Sequence, residues 1–260
     1  MKIVIIGERS FFSKELKKIF KKSKIVSTNF IKKKKSIRSL IQDNTIFIIN
    51  SFYPLFKILN DKKNNITLIN QSVIFLINFL KLINKKKNIK IIYSSTCAVK
   101  NFNANTYNSR SVYTSVKIIC EQILREYSYR NNVQLIITRL FNLYGGEDKA
   151  SIVYKILKAT KKNPIQINNN GNSKRDFIHV SDASKIYKNL IKSNFSGDIE
   201  IGSGKAVAIK KLIDLKQQKF IISKTRVKEN KISKANIKIL SKYFTLSKLI
   251  NVKNFVKSNI

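Results

Sequence analysis

The chain opens with an apolar run that ends at a glycine and is followed by apolar residues at helical spacing. Lys2–Ile6 is rich in β-branched residues, which is typical of a buried parallel strand. From Phe11 to Phe20 the apolar positions Phe12, Leu16 and Ile19 recur every three or four residues, which predicts an amphipathic helix. A strand, a glycine turn and a helix in this order are typical of the start of a nucleotide-binding βαβ unit.

The same alternation of strand-like and helix-like segments continues through the first half of the chain. Further strands are predicted at residues 24–27, 45–50, 89–94 and 133–138, and further helices at residues 37–42, 66–83 and 113–129. Strands that alternate with helices favour a parallel sheet with helices on both faces. The predicted fold class is therefore α/β, with a Rossmann-type doubly wound parallel sheet and a small C-terminal substrate lobe.

The pattern loosens beyond about residue 145. Residues 164–173 are polar and predict a turn, and residues 197–260 hold short helical and strand-like pieces with few acids. We predict a dinucleotide-binding Rossmann domain over residues 1–142, with a return segment at about 176–195. Residues 143–175 and 196–260 are predicted to form a small substrate-binding lobe over the carboxyl edge of the sheet, where open α/β sheets bind their ligands.

The turn after the first strand carries a weak form of the dinucleotide-binding fingerprint. That fingerprint has three glycines, for a tight turn, for close approach of the pyrophosphate and for helix packing. Here Gly7 holds the first place, and Ser10 and Ser13 hold the other two. A serine hydroxyl could contact phosphate, but each side chain pushes a dinucleotide outwards. Alone, this turn fits a structural role as well as a functional one.

A second group of residues carries the candidate chemistry. Ser94-Ser95-Thr96 closes a predicted strand, and Tyr113 and Lys117 lie four residues apart on the helix that follows, so they share one face. An ammonium beside a phenol stabilises the phenolate, and a nearby nicotinamide cation lowers the phenol pKa further. The Thr96 hydroxyl can hold a substrate oxygen while Tyr113 moves the proton. A lone Tyr-x-x-x-Lys is common, but its place in this βαβ series favours catalysis.

Several segments in register resemble the NAD-dependent epimerase/dehydratase family of extended short-chain dehydrogenase/reductases, which remodel nucleotide-activated sugars. The resemblance runs over roughly residues 1–215. The matching segments are the strand end 91–96 through Val99, the catalytic helix 112–121, the strand end 139–145, the segment 171–182 and the strand 198–204. Several linked motifs are far more specific than any one of them.

The resemblance implies roles for individual residues. Tyr113 would be the acid/base, Lys117 would tune it and orient the ribose, and Thr96 would anchor the reacting oxygen. Asn142 would contact the substrate diphosphate, and Arg175 a substrate phosphate. The dinucleotide would be bound by Gly7, Arg9, Ser10, Phe11, Phe12, Asn50, Asn70 and Phe141. The implied cofactor is NAD or NADP and the implied substrate a nucleoside-diphosphate sugar. Since the catalytic helix commonly forms a dimer face in this family, we expect a homodimer.

Departures from the family pattern narrow the chemistry. The family has Tyr-Gly where this chain has Lys100-Asn101, and the loop from Val99 to Tyr113 is short. Residues 27–35 offer lysines but no acid for an adenosine ribose, and with Arg9 this leans towards NADPH. Dehydratases of the family resemble one another in an Asp-Glu pair directly after the Ser/Thr. In this chain Cys97 and Ala98 follow Thr96 instead. Without those carboxylates 4,6-dehydration is disfavoured.

Composition adds one strong feature, a formal net charge of +38 from 52 Lys and Arg against 14 Asp and Glu. Such a charge suggests an anionic partner. The lysines are nevertheless spread along the chain, and they lack interleaved aromatic residues and any nucleic-acid-binding motif. We therefore expect solvated faces rather than a polyanion site, and no specific nucleic-acid binding.

The remaining residue types argue against a metal site and against a membrane protein. Cys97, Cys120 and the single histidine, His179, are too few for a zinc site or a disulfide framework, so no metal is expected. We interpret Cys97 and His179 as structural residues rather than catalytic ones. The N-terminus lacks a signal-peptide pattern, and polar residues interrupt the apolar segment 66–84. We predict a buried helix there, no membrane attachment and a cytoplasmic location.

Together these observations predict an enzyme, an NAD(P)-dependent oxidoreductase that acts on a nucleoside-diphosphate sugar as a 4-epimerase or a 4-ketoreductase. The alternative is a binding protein that has kept the fold and lost turnover, because two glycines are missing from the first turn. A third hypothesis, motivated by the net charge alone, is a polyanion-binding or nucleic-acid-binding protein.

Overall fold

The computed structural model of the chain describes residues 1–32, 39–50, 64–102, 109–216, 220–222 and 230–259. The strands are β1 (Lys2–Ile6), β2 (Lys24–Val26), β3 (Thr45–Ile49), β4 (Lys90–Thr96), β5 (Gln134–Leu140), β6 (Asn142–Tyr144), β7 (Ile165–Ile167), β8 (Lys174–His179), β9 (Gly197–Ile201), β10 (Ala206–Ala208), β11 (Phe220–Ile222) and β12 (Ile232–Ser233). The helices are α1 (Phe11–Ile19), α2 (Asn64–Ile69), α3 (Phe75–Ile83), α4 (Ser109–Asn131), α5 (Ile152–Lys158), α6 (Val180–Lys192), α7 (Ile209–Asp214) and α8 (Val252–Lys257).

Six strands form the central sheet, in the order β2-β1-β3-β4-β5-β9. β1 pairs in parallel with β2 on one side and with β3 on the other, and β3 pairs in parallel with β4. The strand order therefore reverses between β1 and β3, which is the switch point where open α/β sheets bind ligands. The predicted α/β class with a Rossmann-type parallel sheet is confirmed.

The chain divides into two compact units. The first comprises Met1–Arg139 with Ser193–Ile199, and the second comprises Leu140–Lys192 with Glu200–Ile260. The first unit thus ends at Arg139 rather than at the predicted residue 142, and most of the predicted return segment, 176–195, groups with the second unit. Which ligand each unit binds stays a prediction.

The core of the first unit is built on β3, which is buried at all of its positions. Phe47 on β3 meets Phe79 on α3 edge to face, with ring centroids 4.9 Å apart, and Phe79 stacks on Phe75 one helical turn away. Burying one such side chain contributes about 1.5–3 kcal/mol. The same hydrophobic core includes Val116, Cys120 and Leu124 of α4, which fixes the helix of Tyr113 and Lys117 against the sheet layer.

The segment 64–83 is helical throughout, but it is buried on one face only. A π-helical turn, Asn70–Ile74, joins α2 to α3. α3 buries its core-facing side chains, whereas Ile66 is 68% exposed and Ile74 46% exposed. The prediction of a buried helix was therefore wrong for the outer face. Among the described residues, Ile66–Ile83 is the one helix long and apolar enough to cross a membrane by length and composition.

The second unit has a core of its own around Tyr144 and Phe177, whose rings meet edge to face with centroids 6.4 Å apart. β8 is its central strand and pairs with β6, β10 and β12. β7 pairs in parallel with β11. The prediction of a turn over residues 164–173 was wrong at its first half, because Ile165 and Ile167 are both buried and give β7 an apolar side.

Predicted and observed boundaries differ by a few residues elsewhere in the sheet. β4 and β5 run beyond their predicted ends, to Thr96 and Leu140, and α4 begins at Ser109 rather than at Tyr113. The extension of β4 matters most, since it places Ser95 and Thr96 at the end of the strand, in agreement with the prediction that Ser94-Ser95-Thr96 closes it. The predicted helix at 37–42 lies partly outside the described residues.

Candidate active site

Thr96, Tyr113 and Lys117 come together in the first unit. Thr96 is the last residue of β4, and its hydroxyl accepts a hydrogen bond from the Ala98 main-chain N–H at 3.3 Å, which starts the next turn. Tyr113 lies in the first half of α4, and its hydroxyl is hydrogen-bonded to the Thr96 side chain. Lys117 follows one helical turn later, with its Nζ 6.0 Å from the centre of the Tyr113 ring. The predicted trio is therefore one cluster.

Lys117 is buried, with 3% of its surface exposed. Its ammonium donates to the Ser94 carbonyl oxygen at 3.0 Å and lies over the Tyr93 ring, 4.8 Å from the centroid. Burial lowers the pKa of Lys117 to about 8, and the nearby negative charge that Cys120 and Glu121 can carry opposes this fall. A lysine poised in this way can hold or release its proton near neutral pH.

Tyr113 is partly buried, and its surroundings favour the neutral phenol. Burial raises the pKa of Tyr113, and a negative charge on Cys97 would raise it further, while the hydrogen bond to Thr96 lowers it. A phenol in this state needs an added positive charge to ionise near neutral pH. Lys117 is the cation of the cluster that the structure shows, and a bound nicotinamide would add a second.

The first turn lies at the switch point, where its serines accept hydrogen bonds from Asn50, the residue that follows β3. Gly7 has φ 121°, a conformation that favours glycine. The Asn50 amide, 0% exposed, donates to Ser13 Oγ at 2.8 Å and to Ser10 Oγ at 3.1 Å. Its other atom, Asn50 Oδ1, is buried and has no hydrogen-bond partner. Ser13 therefore faces the interior and does not fill the groove outside the turn.

The other predicted dinucleotide residues of the first unit lie in different environments. Arg9 is exposed and Phe11 half-buried, whereas Phe12 is buried in the core. Asn70 is exposed at the start of the π-helical turn. It lines a cavity of about 360 Å³ with Thr28 and Asn29, which follow β2. In dinucleotide-binding folds the residue after the second strand contacts the adenosine ribose. The prediction that Asn70 binds the dinucleotide therefore applies to this cavity.

The predicted substrate residues lie in the second unit around β8. The Asn142 amide donates to the Asp176 carbonyl oxygen at 2.7 Å. Arg175 is half-buried, and its guanidinium donates to the Asn230 carbonyl oxygen at 2.7 Å. Asp176, between them, is buried and accepts from the main chain of Ser203, Gly204 and Ala235. Phe141, the remaining predicted dinucleotide residue, is 4% exposed, so its main chain is the part that could reach a ligand.

The structure shows the surroundings of His179 and Cys97, whose structural role stays a prediction. The His179 ring packs against Tyr144 and Phe255, with centroids 5.1 and 5.2 Å away. A β-carbon at Gly145, which has φ +83°, would overlap the His179 ring, so glycine is required there. Cys97 follows Thr96 in a 3₁₀ turn and is half-buried. In the part of the chain that the structure describes, no three His, Cys, Asp or Glu side chains could hold a metal ion together.

Sequence reasoning missed an ionic cluster beside the trio. Glu121 on α4 is buried and binds Arg139 at 2.7 Å and Arg125 at 3.2 Å. Both guanidinium groups also bind Asp198, at 2.9 and 2.6 Å. The Ser95 hydroxyl donates to Glu121 at 2.5 Å. The available signal was the spacing of Tyr113, Lys117 and Glu121 at four-residue intervals, which places all three on one face of α4.

The chain thus has a Rossmann-type parallel sheet, with Thr96 at the end of β4 and Tyr113 and Lys117 on α4. The sequence profile of the NAD dependent epimerase/dehydratase family matches residues 4–202. The chain belongs to this family, and the predicted membership is confirmed. The predicted nicotinamide dinucleotide cofactor agrees with the family's description as NAD-dependent.

Three known proteins illustrate the likeness. The chain is 27% identical over 158 residues to UDP-glucuronic acid decarboxylase 3 of Arabidopsis thaliana, covering 55% of this chain and 46% of that protein. It is 28% identical over 159 residues to a putative UDP-glucose 4-epimerase of Methanocaldococcus jannaschii, covering 55% and 51%. The chain thus spans about half the length of these curated relatives. A UDP-glucuronic acid 4-epimerase of Bacillus cereus, solved with NAD and a fluorinated UDP-sugar, superposes with a TM-score of 0.83 at 16% identity, covering 100% and 98%, and shows the shared fold.

Proposed function

We propose that the protein is an NAD(P)-dependent oxidoreductase of nucleoside-diphosphate sugars, acting at C4 as an epimerase or as a 4-ketoreductase. The observation that carries the proposal is the convergence of Tyr113 and Thr96 beside the buried ammonium of Lys117, which lies 6.0 Å from the centre of the Tyr113 ring. Family membership supports sugar-nucleotide chemistry, and the two curated relatives are named for UDP-sugar reactions.

In the proposed mechanism the trio moves one proton. A bound nicotinamide supplies the chemistry of accepting and returning a hydride. Thr96 holds the sugar oxygen by a hydrogen bond, and Tyr113 removes the proton from that oxygen during oxidation and returns it during reduction. Lys117, fixed by the Ser94 carbonyl, stabilises the phenolate through its charge. A 4-ketoreductase would carry out only the reduction, in which Tyr113 gives its proton to the sugar oxygen.

The first turn fits a dinucleotide phosphate despite its serines. Ser13 is tied inwards by Asn50, so its side chain leaves the outer surface of the turn open. Ser10 is the N-cap of α1 and makes no side-chain capping bond, and the first turn of α1 carries no acid. A helix N-terminus with these properties attracts phosphate. Residues 27–32, which directly follow β2, include no acid for an adenosine ribose, which supports NADPH over NADH.

Asn142 and Arg175 support the assignment of a phosphorylated substrate to the second unit. The Arg175 guanidinium bonds the Lys174 and Asn230 carbonyl oxygens, and a guanidinium is well suited to bind phosphate oxygens. Asn142 keeps its side-chain oxygen after its amide bonds Asp176. Both are proposed to contact the diphosphate of the sugar nucleotide.

The proposal is tested by a Tyr113→Phe substitution, with Tyr129→Phe as its control because Tyr129 is on the same helix and 89% exposed. Sugar nucleotides are screened with NAD and with NADP, and products are identified by mass spectrometry and NMR. Tyr113→Phe is expected to lower turnover by about a hundredfold or more while sugar-nucleotide affinity persists, and Tyr129→Phe to behave as the parent chain. Full activity of Tyr113→Phe would exclude this mechanism.

The alternative is a binding protein without turnover, which Ser10 and Ser13 favour because they replace two glycines. Fluorescence titration with NADH and NADPH separates the two cases. A chain that binds neither dinucleotide cannot carry out the proposed reaction. A chain that binds a dinucleotide and a sugar nucleotide but converts none of the screened sugars would be a sensor. Loss of CO₂ from UDP-glucuronic acid would instead show the reaction named for the Arabidopsis relative.

We also propose a homodimer formed through α3 and α4. Ile119 on α4 and Ile77 on α3 are exposed. Between α3 and α4 lies a shallow groove lined in part by Ile77, Ile123 and Tyr127. Exposed apolar side chains that share one face are typical of a protein interface.

A further inference from the structure

Three consecutive residues at the end of β4 are each bonded by a side chain of α4. Ser94 is bonded by Lys117, through the carbonyl oxygen at 3.0 Å. Thr96 is bonded by Tyr113. The middle residue, Ser95, donates its hydroxyl to Glu121 at 2.5 Å. Two of these three links belong to the proposed trio, and the third has no role in the mechanism described above.

We propose that Glu121 is a positioning residue of this site: it anchors α4 to the end of β4 through Ser95 and so fixes Tyr113 and Lys117 relative to Thr96. The proposal rests on the proposed function for the meaning of the site. Its structural part, the coupling of Glu121 to Lys117, can be measured without turnover.

Burial argues that the Glu121 carboxylate is held in one place. It is 2% exposed, and a carboxylate removed from water is stable only when it is paired and hydrogen-bonded. Glu121 Oε1 accepts from Ser95 at 2.5 Å and from the Arg139 Nε at 3.3 Å. Glu121 Oε2 accepts from Arg139 at 2.7 Å and from Arg125 at 3.2 Å. With donors on both oxygens, the carboxylate has little freedom to turn, and the same holds for the helix that carries it.

The cluster also extends the anchor to other strands of the first unit. Arg139 lies on β5, and Asp198 on β9 binds both arginines. Glu121 thus joins α4 to β4 through Ser95 and to β5 through Arg139. A helix joined to two adjacent strands at one level cannot slide or rotate without breaking charge-assisted bonds, which are stronger than neutral ones.

Charge gives Glu121 a second means of acting on Lys117, because its negative charge favours the protonated ammonium. The other titratable groups that face Lys117 are Tyr93 on β4 and, on α4, Tyr113 and Cys120. The 3₁₀ turn after β4 adds Cys97, beside Tyr113, and the exposed Lys100. α2 and the π-helical turn have no titratable side chain, and Lys81 of α3 is exposed. When Glu121 is replaced, the positive charges of Arg125 and Arg139 lose their partner, so theirs is the other electrostatic effect on Lys117 that changes.

The test compares three variants in the full-length chain. Glu121→Gln removes the charge, Ser95→Ala removes the link to β4 but keeps the charge, and Glu126→Gln is the control. Glu126 is on the same helix and pairs with Arg130, but it is 58% exposed and lies outside the cluster. Because it lines the groove between α3 and α4, the oligomeric state of this variant is compared with that of the parent chain. Each variant is first examined by thermal unfolding and dinucleotide titration, to establish that it folds and binds.

For turnover, Glu121→Gln is expected to lower kcat by about tenfold to a hundredfold, the size expected from a small misplacement of reacting groups, with little change in KM. In the pH profile of kcat for Glu121→Gln, the alkaline limb is expected to move to lower pH, because the lost negative charge no longer favours the protonated form of Lys117. Ser95→Ala is expected to lower kcat without moving that limb. Equal kcat and pH profiles in Glu121→Gln and the parent chain would overturn the proposal, as would a loss confined to thermal stability.

A second readout uses acetylation of Lys117 by acetic anhydride, followed at several pH values by peptide mass spectrometry. Glu121→Gln is expected to raise the rate and to shift the midpoint to lower pH, and Ser95→Ala to raise the rate alone. If all three variants match the parent chain, Glu121 does not position Lys117. A parent chain that turns over no sugar nucleotide, together with these acetylation shifts, would refute the proposed function and leave the positioning role intact.

Discussion

Lys117 gives the protein a pH dependence of stability that can be calculated from its burial. Burial lowers the pKa of Lys117 from its ordinary value of 10.5 to about 8. Between about pH 8 and pH 10.5 the unfolded chain keeps a proton on this lysine that the folded chain has released. The free energy of unfolding therefore rises with pH across this window, and below it the full destabilisation is present.

The magnitude follows from the width of the window. Each pH unit is worth about 1.4 kcal/mol, so the interval from about 8 to 10.5 corresponds to about 3 kcal/mol. Of this, roughly 2 kcal/mol is gained by pH 9.5. Many other lysines and tyrosines titrate in the same range, so a single unfolding curve cannot isolate this contribution. A variant without the ammonium is needed.

The assay is urea unfolding of the parent chain and of Lys117→Met at half-unit steps from about pH 7 to 9.5, a range chosen to bracket the folded pKa. The free energy of the parent chain minus that of the variant is expected to be flat below about pH 8 and then to rise by roughly 2 kcal/mol. Lys86→Met, at an exposed lysine in the turn after α3, is the control and should give a flat difference. A flat difference for Lys117→Met as well would refute the reasoning, because it would mean that burial does not perturb this ammonium.

Two further predictions concern packing and assembly. Ser13→Ala is expected to lower the free energy of unfolding by about 1–2 kcal/mol, because the buried Asn50 amide keeps only the longer bond to Ser10; urea unfolding that shows an equal loss for Ser10→Ala would contradict this. Ile119→Lys is expected to shift the chain from dimer to monomer in light scattering, because a charge there is buried at the proposed interface. A parent chain that is already monomeric would exclude the dimer.

Local patterns account for most of the sheet. β1 is observed over the predicted residues 2–6, since an uninterrupted β-branched run has few alternatives beside a buried sheet. Tyr113 and Lys117 could be paired from the helical repeat alone, and Thr96 from its place at a strand end. Short-range periodicity fixes which side chains share a face, so these parts of the site follow from the sequence.

Features that depend on distant partners did not follow from the sequence. Glu121 meets Arg139 and Asp198, and no local pattern relates these three positions. The bond between Ser13 and Asn50 requires β3 to lie beside β1, which only the strand order provides. β7 is a strand because it pairs with β11, more than fifty residues later in the chain. The outer face of Ile66–Ile83 was misjudged because apolarity alone does not tell a buried face from an exposed one.

The burial of acidic side chains affects how the protein responds to ionic strength. Glu121, Asp176 and Asp182 are three of only 14 acids, and all three are enclosed by their own partners. Among the described residues Lys90 and Lys117 are buried as well, so the surface has a positive excess only slightly larger than the net charge of +38. Such a surface repels itself, both within one molecule and between two copies, unless dissolved anions screen it, over about 8 Å at physiological ionic strength. Dissolved anions are therefore expected to stabilise the folded molecule, and dilute buffer to weaken that stabilisation.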